Sequence, residues 1–570
     1  MILRSLDVPD GSTLECDVCV VGAGAAGITM ALELERGGRS VLLLEAGQMN
    51  RAGPAQALYA GVVNDLSHHL PLDQARYRQL GGTTSLWGGR CIPYDALDFE
   101  HRPWVAHSGW PISRADLDPY YEQAHNYLEC GAYDYRSAAA LGVSAPAMLP
   151  GFADGDIDTG SLERWSPPTH FGKVYRKALT ASRQVRVLLG AVAVELQADT
   201  TRTRVAGIRV KRSASIAAVG GGGFVVQPRE VVLAGGGIET TRLLMTSCQG
   251  DQRGFGAGSA WLGRGYMSHV HGVIARVQFR PGLPVISGYE QDDEGVFVRR
   301  RLWVSARAQR ELELLNTYML LDRPLLDDPS HGSAVLSAAF LAKKLFQRQR
   351  DDQLGSGKYA IYWQHLRNVL SGSPQVASFL PRFARSRFLQ KRRLPSITVG
   401  SRSNAFHLYF QAEQVPHDSA GLRLLADTDA LGQQRVQLDF KVQAQDLDSI
   451  WRTHELLDRE LRAQGIGELV LDPAAREQLQ AAKAVLGHHL GTTRMAVSAG
   501  GGVVDAHCRV HGVHNLHIAS ASVLPTSSHA NPTLTVVALA LRLAQRLQAR
   551  TSTAVPAASP SFISGASHEL

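Results

Sequence analysis

The strongest pattern of apolar and polar positions lies near the N-terminus. An apolar run from Val18 to Val21 leads into a Gly-x-Gly-x-x-Gly turn and then into a stretch with helical spacing. A second apolar run, from Val41 to Leu44, ends on Glu45. This order predicts a strand, a glycine turn, a helix, a second strand and an acidic residue. It is typical of the βαβ unit that binds a dinucleotide.

Each residue type in this unit suits the binding of a dinucleotide. Gly22 permits the tight turn, Gly24 lets the backbone approach a pyrophosphate, and Gly27 lets the helix pack closely on the strand. The N–H groups at the helix N-terminus favour phosphate. Glu45 follows Gly22 by twenty-three residues; it can accept hydrogen bonds from both ribose hydroxyls and would repel a 2′-phosphate. A glycine turn without a ligand would leave this acid unexplained.

A second glycine turn follows the apolar run that begins at Val231. Its glycines are Gly235 and Gly237, but Thr240 replaces the third glycine and no strand-ending acid follows at the required distance. We therefore predict a structural strand that returns to the first sheet. A true second site would have indicated a flavoprotein driven by NAD(P)H.

The remaining pattern is weaker. Alternation with period two predicts strands at 185–194 and 205–212. Residues 132–170, rich in alanine, glycine, proline and aspartate, are predicted to form a loop. A helix is predicted from Leu447 to Arg462.

Length and composition place the chain among large globular proteins. With 570 residues, 44% of them apolar, it is predicted to form two large domains. Cys16 and Cys19 form a Cys-x-x-Cys inside the first strand, where their side chains face opposite sides, so no metal site is expected. No signal peptide and no apolar run of about eighteen residues are evident. A cytoplasmic location is expected.

The charge is concentrated in one segment. Residues 343–393 contain twelve lysines and arginines against two aspartates, a local charge of +10, whereas the whole chain carries +7. This distribution argues against a uniformly basic nucleic-acid binder. A basic helical insertion is predicted at about 335–394. It is interpreted as a membrane-surface helix, as a mobile lid, or as a solvated insertion that packs on its own protein.

Four motifs occur in a fixed order along the chain. They are GAGAAG at 22–27, GGTTSLWGGR at 81–90, His-x-x-Gly-Thr starting at His488, and ANPTLT at 530–535. Together they resemble the glucose–methanol–choline (GMC) oxidoreductase family. The resemblance covers the beginning and end of the chain well and the region 280–440 only loosely. The final motif is similar to the asparagine variant of the family, which includes pyranose oxidase.

The resemblance implies an α/β fold with two parts. A discontinuous Rossmann-type domain would hold FAD, and a second α+β domain would place an antiparallel sheet over the flavin and contain the basic insertion. The residues beyond 550 are expected to form a disordered tail. The implied boundaries are 1–110, 175–268 and 487–550 for the FAD-binding domain, 111–174 and 269–486 for the substrate-binding domain, and 551–570 for the tail.

The resemblance also implies the chemistry of the site. Family members oxidise an alcohol by passing hydride from the C–OH carbon to flavin N5, with a histidine at the position of His488 and a partner at the position of Asn531. Where several members link FAD through a histidine, this chain has Leu86, so FAD is expected to be non-covalent. The residues expected to contact FAD are Gly22, Gly24, Ala25, Ala26, Gly27, Glu45, Ala46, Gly81, Gly82, Ser85, Leu86, Trp87, Gly88, Val192, Ala234, Gly235, Ser520, Asn531 and Thr533.

Elementary chemistry agrees with the two catalytic assignments. Removing hydride from an alcohol leaves a positive carbon unless the hydroxyl proton also leaves, and a neutral imidazole is a suitable base. A carboxamide at the same oxygen can donate a hydrogen bond as charge develops.

Other functions on this scaffold remain open. They are a lyase, a flavin photoenzyme and a non-catalytic flavin-binding protein, but retention of both His488 and Asn531 favours oxidation. The expected substrate is a small-molecule alcohol, such as a sugar-like secondary alcohol. The expected electron acceptor is oxygen or a quinone-like molecule. No nucleic-acid partner is expected, and a peripheral membrane contact stays open.

Overall fold

The computed structural model describes residues 1–213, 222–247, 255–256, 258–322, 326–327, 329–347, 358–390, 392–396, 398–399, 401 and 403–549. The strands are β1 (Ile2–Arg4), β2 (Thr13–Val21), β3 (Val41–Glu45), β4 (Val62–Val63), β5 (Arg90–Cys91), β6 (Ile157–Asp158), β7 (Leu162–Trp165), β8 (Val185–Leu189), β9 (Ala191–Ala198), β10 (Val205–Arg212), β11 (Gly223–Leu233), β12 (Val270–Phe279), β13 (Tyr289–Gln291), β14 (Phe297–Arg300), β15 (Leu302–Val304), β16 (Thr317–Asp322), β17 (Ala405–Ala412), β18 (Gly421–Thr428), β19 (Gln434–Asp439), β20 (Gly467–Leu471), β21 (Lys483–Ala484) and β22 (Leu516–Ile518). The α-helices are α1 (Ala25–Arg36), α2 (Gly53–Ala57), α3 (Ala96–Phe99), α4 (Asp118–Leu128), α5 (Ser137–Leu141), α6 (Phe171–Val174), α7 (Arg176–Ala181), α8 (Gly237–Thr246), α9 (Ala306–Glu311), α10 (Ala334–Gln347), α11 (Lys358–Ser371), α12 (Ser373–Ala384), α13 (Ala444–Ala463), α14 (Ala475–Gln480) and α15 (Thr533–Ala549).

The first sheet is built around β2. This strand pairs in parallel with β3 on one side and with β11 on the other, and the sheet runs β1-β8-β3-β2-β11-β10-β9, with β22 also paired to β11. All five residues of β3 are buried, as expected of a central parallel strand covered on both faces. The predicted unit of strand, glycine turn, helix and strand is therefore present, and the second glycine turn follows a strand of the same sheet.

Helices α1 and α15 pack on each other against this sheet. In α15 the side chains of Leu534, Val537, Ala538 and Leu541 recur at helical spacing and are buried. The C-terminal end of the chain thus completes the core that the N-terminal βαβ unit begins. This explains why motifs from both ends of the sequence can meet at one site.

Two predictions about local structure are wrong. The run at 185–194 forms two strands, β8 and β9, because the chain turns at Gly190, which has a positive φ of 72°. Residues 132–170 are not a continuous loop, since they contain α5, β6 and β7. The β7 strand pairs with β14 and β5, so long-range pairing overrides its loop-like composition. The helix predicted at 447–462 is present as α13, with somewhat wider bounds.

A second large sheet is antiparallel and runs β20-β12-β17-β16-β15-β6, with β21 also paired to β12. Its buried face packs with α13 in a separate apolar core that includes Ile274, Phe410 and Leu457. The fold class is therefore confirmed as a Rossmann-type sheet with a second part that contains an antiparallel sheet. The boundaries assigned to the two domains stay predictions.

The basic insertion lies between β16 and β17 of the antiparallel sheet. Its described part consists of α10, α11 and α12, followed by a π-helical turn at Arg385–Leu389. The tail predicted at 551–570 lies outside the described residues. Within the part of the chain that the structure describes, no helix is long and apolar enough to cross a membrane.

Candidate active site

A cavity of about 920 Å³ opens at the carboxyl ends of β2, β3 and β11. The last residues of these strands, Val21, Glu45 and Leu233, all border it. Ligands of open α/β sheets bind at this edge. The volume is near the upper end of the usual range for small-molecule and cofactor sites, about 300–1,000 Å³.

The three glycines of the first turn serve different steric roles. Gly22 has a φ of 107°, and a Cβ there would lie 2.6 Å from the Ala234 carbonyl oxygen. A Cβ on Gly27 would lie 1.9 Å from the Gly22 oxygen, so this glycine permits close packing of α1 on the turn. A Cβ on Gly24 would meet nothing within 4 Å. Because Gly24 borders the cavity and precedes α1, its backbone is open to a ligand.

Glu45 is buried at the end of β3, where it borders the cavity. The backbone N–H of Ala23 donates to its Oε2 (3.1 Å), and that of Gly47 donates to its Oε1 (2.7 Å). Burial raises the pKa of this carboxyl to about 7, although these hydrogen bonds and the nearby Arg78 act in the opposite direction. The position of the Glu45 carboxyl is thus fixed in part by the glycine turn itself, through the N–H group of Ala23.

Most residues predicted to contact FAD border this cavity. They are Gly22, Gly24, Ala25, Ala26, Glu45, Ala46, Gly82, Leu86, Trp87, Gly88, Val192, Ala234, Gly235, Ser520, Asn531 and Thr533. Gly27, Gly81 and Ser85 do not. Gly81 has a φ of 88°, and a Cβ there would lie 2.4 Å from the Gly172 nitrogen. Ser85 donates from its hydroxyl to the Gly82 carbonyl (3.0 Å). Gly81 and Ser85 therefore set the shape of the loop without bordering the cavity.

The cavity wall also contains a cluster of charged residues that was not predicted. The guanidinium groups of Arg76 and Arg78 lie 4.1 and 4.3 Å from the ring centre of Tyr59. Both also pair with Glu239 of α8, at 3.1 and 2.6 Å. Glu239 belongs to the second glycine turn, so this cluster fixes that turn to the segment before β5. The segment has no clear periodicity, and nothing in the sequence links these residues.

The predicted catalytic residues, His488 and Asn531, both border the cavity. His488 Nδ1 lies 2.8 Å from Nδ1 of His269, which immediately precedes β12. The Asn531 side-chain oxygen accepts a hydrogen bond from Gln411 Nε2 of β17 (3.1 Å). Burial lowers the pKa of His488 well below its ordinary value, and repulsion from neighbouring groups that can be positive, among them His269 when protonated and Arg90, acts in the same direction. His488 is therefore a neutral imidazole at neutral pH.

Two neighbouring histidines have other partners. His489 Nδ1 lies 2.7 Å from the Tyr266 hydroxyl. His529 is fully buried and does not border the cavity; its Nε2 lies 3.0 Å from Asp95 Oδ2 and 3.0 Å from Arg301 Nη1. His529 thus belongs to a buried charged network behind Asn531.

A cation lies on the cavity wall at Arg90 of β5, directly after the Gly-Gly of the second motif. Its Nε is 3.3 Å from Glu163 Oε2, and its guanidinium also donates to the Tyr318 hydroxyl. No role was predicted for Arg90. Its position as the last residue of GGTTSLWGGR was the available signal.

The residues present fit FAD. Gly24 is open to the cavity, Gly22 and Gly27 have the steric constraints of the fingerprint, and Glu45 presents a carboxylate at the strand end. The α1 N-terminus offers its backbone N–H groups to phosphate. The ribose and pyrophosphate would be held by these groups.

Comparisons with known proteins agree with this geometry. A family model described as GMC oxidoreductase matches residues 416–540, and one described as FAD binding domain matches residues 17–77. The first match contains both predicted catalytic residues, and the second contains the first glycine turn and Glu45. FAD is therefore confirmed as the cofactor.

Similar proteins were also found over partial and nearly full length. A C-glycoside 3-oxidase of Arthrobacter globiformis is 37% identical over 98 residues, which are 17% of this chain and 19% of that protein. An oxygen-dependent choline dehydrogenase of Brucella suis biovar 1 is 24% identical over 557 residues, which are 91% of this chain and 93% of that protein. The chain spans less than a quarter of the length of the first curated relatives it matches.

A solved structure supports the fold. The crystal structure of pyridoxine 4-oxidase from Mesorbium loti has a TM-score of 0.54 and 16% identity, and it covers 93% of this chain and 99% of its own. Together with the family models, these matches support the GMC oxidoreductase family that the motifs predicted. The finer resemblance to the pyranose-oxidising asparagine variant stays a prediction.

Proposed function

We propose that the chain is an FAD-dependent oxidoreductase that converts the CH–OH group of a small alcohol to a carbonyl. The observation that carries this proposal is that a neutral imidazole, His488, and a carboxamide, Asn531, border the same cavity as the glycine turn and Glu45. When bound, FAD supplies the acceptor for the hydride that leaves the alcohol carbon.

His488 acts as the base in this proposal. Its lowered pKa keeps the ring unprotonated at neutral pH, so it is ready to accept the hydroxyl proton. The proton must leave as the hydride leaves, because the carbon would otherwise develop a positive charge. The adjacent His489 is turned toward Tyr266 and is not assigned this role.

Asn531 orients the alcohol. Because Gln411 donates to its side-chain oxygen, the Asn531 amide nitrogen is left to donate to the substrate oxygen. Gln411 also donates to the backbone oxygen of His529 (2.7 Å), which fixes the segment on both sides of Ala530. A fixed donor at the reacting oxygen favours the developing charge and sets which C–H bond is presented.

The substrate is proposed to be a cyclic, sugar-like secondary alcohol. The motive is the ANPTLT motif at 530–535, together with a relative that is named a C-glycoside 3-oxidase. Relatives named for choline and pyridoxine make other small alcohols the competing outcome. Oxygen or a quinone-like molecule is proposed as the electron acceptor. The two-domain boundaries and the residues predicted to contact FAD are part of the same proposal.

A panel of alcohols added without oxygen tests this function. We expect at least one sugar-like secondary alcohol to bleach the yellow flavin, and His488→Ala to slow that bleaching strongly. If only linear or aryl primary alcohols bleach it, the substrate class is wrong. If no alcohol does, a lyase or a non-catalytic flavin protein is the better explanation.

A further inference from the structure

We propose that His269 is a positioning residue that fixes the tautomer of His488, so that Nε2 of His488 presents the lone pair to the substrate. This inference rests on the proposed function, and it adds a residue that no motif identified. Its basis is the pair of ring nitrogens that face each other at 2.8 Å, Nδ1 of His269 and Nδ1 of His488.

His269 carries its ring proton on Nε2. Its Nε2 lies 3.1 Å from the backbone carbonyl oxygen of Ser527. A carbonyl oxygen can only accept, so Nε2 of His269 must carry a hydrogen. A neutral imidazole has one N–H, which leaves Nδ1 of His269 as an acceptor.

The His269 ring carries no charge. His269 is fully buried, and burial lowers its pKa to about 3, with the neighbouring His529 and His271 acting in the same direction. The ring is therefore neutral in the range in which the protein works. It has no second proton to place between the two rings.

The contact between the two rings then fixes the position of the proton on His488. Two acceptors cannot face each other at 2.8 Å, so the hydrogen between the rings belongs to Nδ1 of His488. Since His488 is also neutral, its Nε2 is bare. A bare Nε2 is the form that a general base needs. The Ser527 carbonyl sets this form through the His269 ring.

The arrangement also connects the two catalytic groups. Ser527, which sets the tautomer of His269, lies in the same C-terminal segment as Asn531, and both Ser527 and His269 are fully buried. His269 lies at the entrance to β12 of the antiparallel sheet. The His269 ring thus contacts both the base and the C-terminal segment that carries its partner.

Substitutions at His269 separate the hydrogen-bonding role from packing. His269→Phe keeps a ring but removes the acceptor, whereas His269→Asn places a carbonyl oxygen near the position of Nδ1. His454→Phe is the matched control, because His454 is a buried histidine that donates from Nδ1 to the Ile450 carbonyl (2.8 Å) and does not border the cavity.

At equal FAD loading, we expect His269→Phe to slow anaerobic flavin reduction by about 10–100-fold, the effect of losing one or two hydrogen bonds to a reacting group. His269→Asn should recover most of the rate, and His454→Phe should retain it. A normal rate in His269→Phe, or equal losses in His269→Phe and His269→Asn, would overturn the proposal.

A spectroscopic measurement tests the tautomer without any reaction. Ring ¹⁵N spectra of histidine-labelled protein, assigned by comparison with His488→Asn, should show His488 protonated at Nδ1 and bare at Nε2. In His269→Phe the Nε2 signal should move toward the protonated form. Finding Nε2 protonated in the unchanged protein contradicts the proposal, even if His488 proves to be the base. Conversely, a flavin that no alcohol bleaches would refute the proposed function and leave the tautomer measurable.

A separate observation concerns the basic insertion. On α11, the side chains of Tyr359, Trp363, Leu366 and Leu370 follow helical spacing along one face, with exposures of 78%, 64%, 39% and 65%. The other side of α11 packs on α10. There the buried His365 of α11 stacks on Phe340 of α10, with ring centres 4.1 Å apart.

The described helices of the insertion carry only positive charges. Residues 334–347 and 358–390 contain seven lysines and arginines and no aspartate or glutamate. An exposed row of tyrosine, tryptophan and leucine on a basic helix is typical of a helix that lies in a lipid interface. We infer that the α11 face, defined by the four side chains named above, docks on an anionic lipid surface.

Sedimentation with lipid vesicles tests this surface. We expect the full chain to bind phosphatidylglycerol-containing vesicles more strongly than neutral vesicles, and less strongly as salt is raised. Replacing Trp363 and Leu370 by glutamate should weaken binding at least about 10-fold. Leu66→Glu, at a side chain that is 63% exposed elsewhere, should not.

Two outcomes would overturn the lipid proposal. One is equal binding, or no binding, to the two kinds of vesicle. The other is a dimer in solution that the Trp363→Glu and Leu370→Glu changes dissociate, since the α11 face would then be an interface between copies of the chain.

Discussion

The two halves of the cavity wall are built in different ways. The nucleotide-binding half comes from one contiguous βαβ unit, from Thr13 to Glu45. The Glu45 carboxyl is held by the backbone N–H groups of Ala23 and Gly47, which lie at the two ends of the α1–β3 segment. The catalytic half is assembled from distant parts of the chain. Its residues come together only where the antiparallel sheet packs on the first sheet. They are His488 with His269, and Asn531 with Gln411.

This difference indicates which substitutions should separate binding from chemistry. Changes in the βαβ unit should alter FAD affinity and leave the reaction of bound FAD largely unchanged. Changes in the catalytic half should slow the reaction while FAD stays bound.

The largest effect is expected for His488→Ala. Loss of a positioned base should slow anaerobic flavin reduction by roughly 10²–10⁴-fold, with FAD retained because the glycine turn is untouched. Stopped-flow absorbance at equal flavin loading measures it. His489→Ala is the control at the adjacent residue and should cost far less. Normal reduction in His488→Ala, with His489→Ala impaired, would show that the base has been assigned to the wrong ring.

Asn531→Ala should have the next largest effect, about 10²-fold on the same rate, the usual value for one donor to a developing oxyanion. Asn531→Asp distinguishes donation from mere filling of space. Aspartate keeps the shape and can still accept from Gln411, but its carboxylate cannot donate to the substrate oxygen. An Asn531→Asp protein with a normal rate would rule out the donor role.

The same contrast explains how much of the site the sequence could predict. Gly22, Gly24, Gly27 and Glu45 could be identified because each lies at a fixed distance from the next within one unit, and each distance has a physical meaning. The antiparallel sheet and the two catalytic assignments came from the family resemblance. Spacing alone would not have selected His488 among twenty-one histidines.

Other features had no local signal. Arg76 and Glu239 pair across 163 positions of sequence, and Tyr59 joins them only because α8 follows the second glycine turn. In the sequence, nothing distinguishes His269 from any other histidine before a strand. Its role follows only from its contacts with the Ser527 carbonyl and with His488 in the folded structure. The loop prediction for 132–170 failed for the same reason, since β7 is stabilised by pairing with β14 and β5.

A smaller effect, on affinity alone, is expected at Glu45. Its pKa of about 7 in the protein without ligand means that it is largely protonated at pH 6 and largely ionised at pH 8. The ionised form accepts from both ribose hydroxyls, so FAD binding should favour it. Affinity should therefore fall by about 10-fold as the pH falls from 8 to 6.

Titrating the apoprotein with FAD at several pH values measures this dependence. Glu45→Gln should bind FAD about 10-fold more weakly at pH 8, because a charged acceptor is replaced by a neutral one, and its affinity should not change between pH 6 and 8. The reduction rate of the FAD that does bind should stay near normal. A pH dependence that persists in Glu45→Gln would have to come from another group, such as a neighbour of the Arg78 cluster.

The smallest effect is expected at Leu86. This side chain borders the cavity but is 43% exposed, and leucine cannot form the bond by which a histidine links a flavin. Acid precipitation of the native protein should therefore release the yellow colour into the supernatant. Leu86→Ala should change the melting temperature of the apoprotein little, since truncation of an exposed side chain usually alters the free energy of unfolding by less than about 0.5 kcal/mol. Colour that remains in the precipitate of the native protein would show that another residue forms the link.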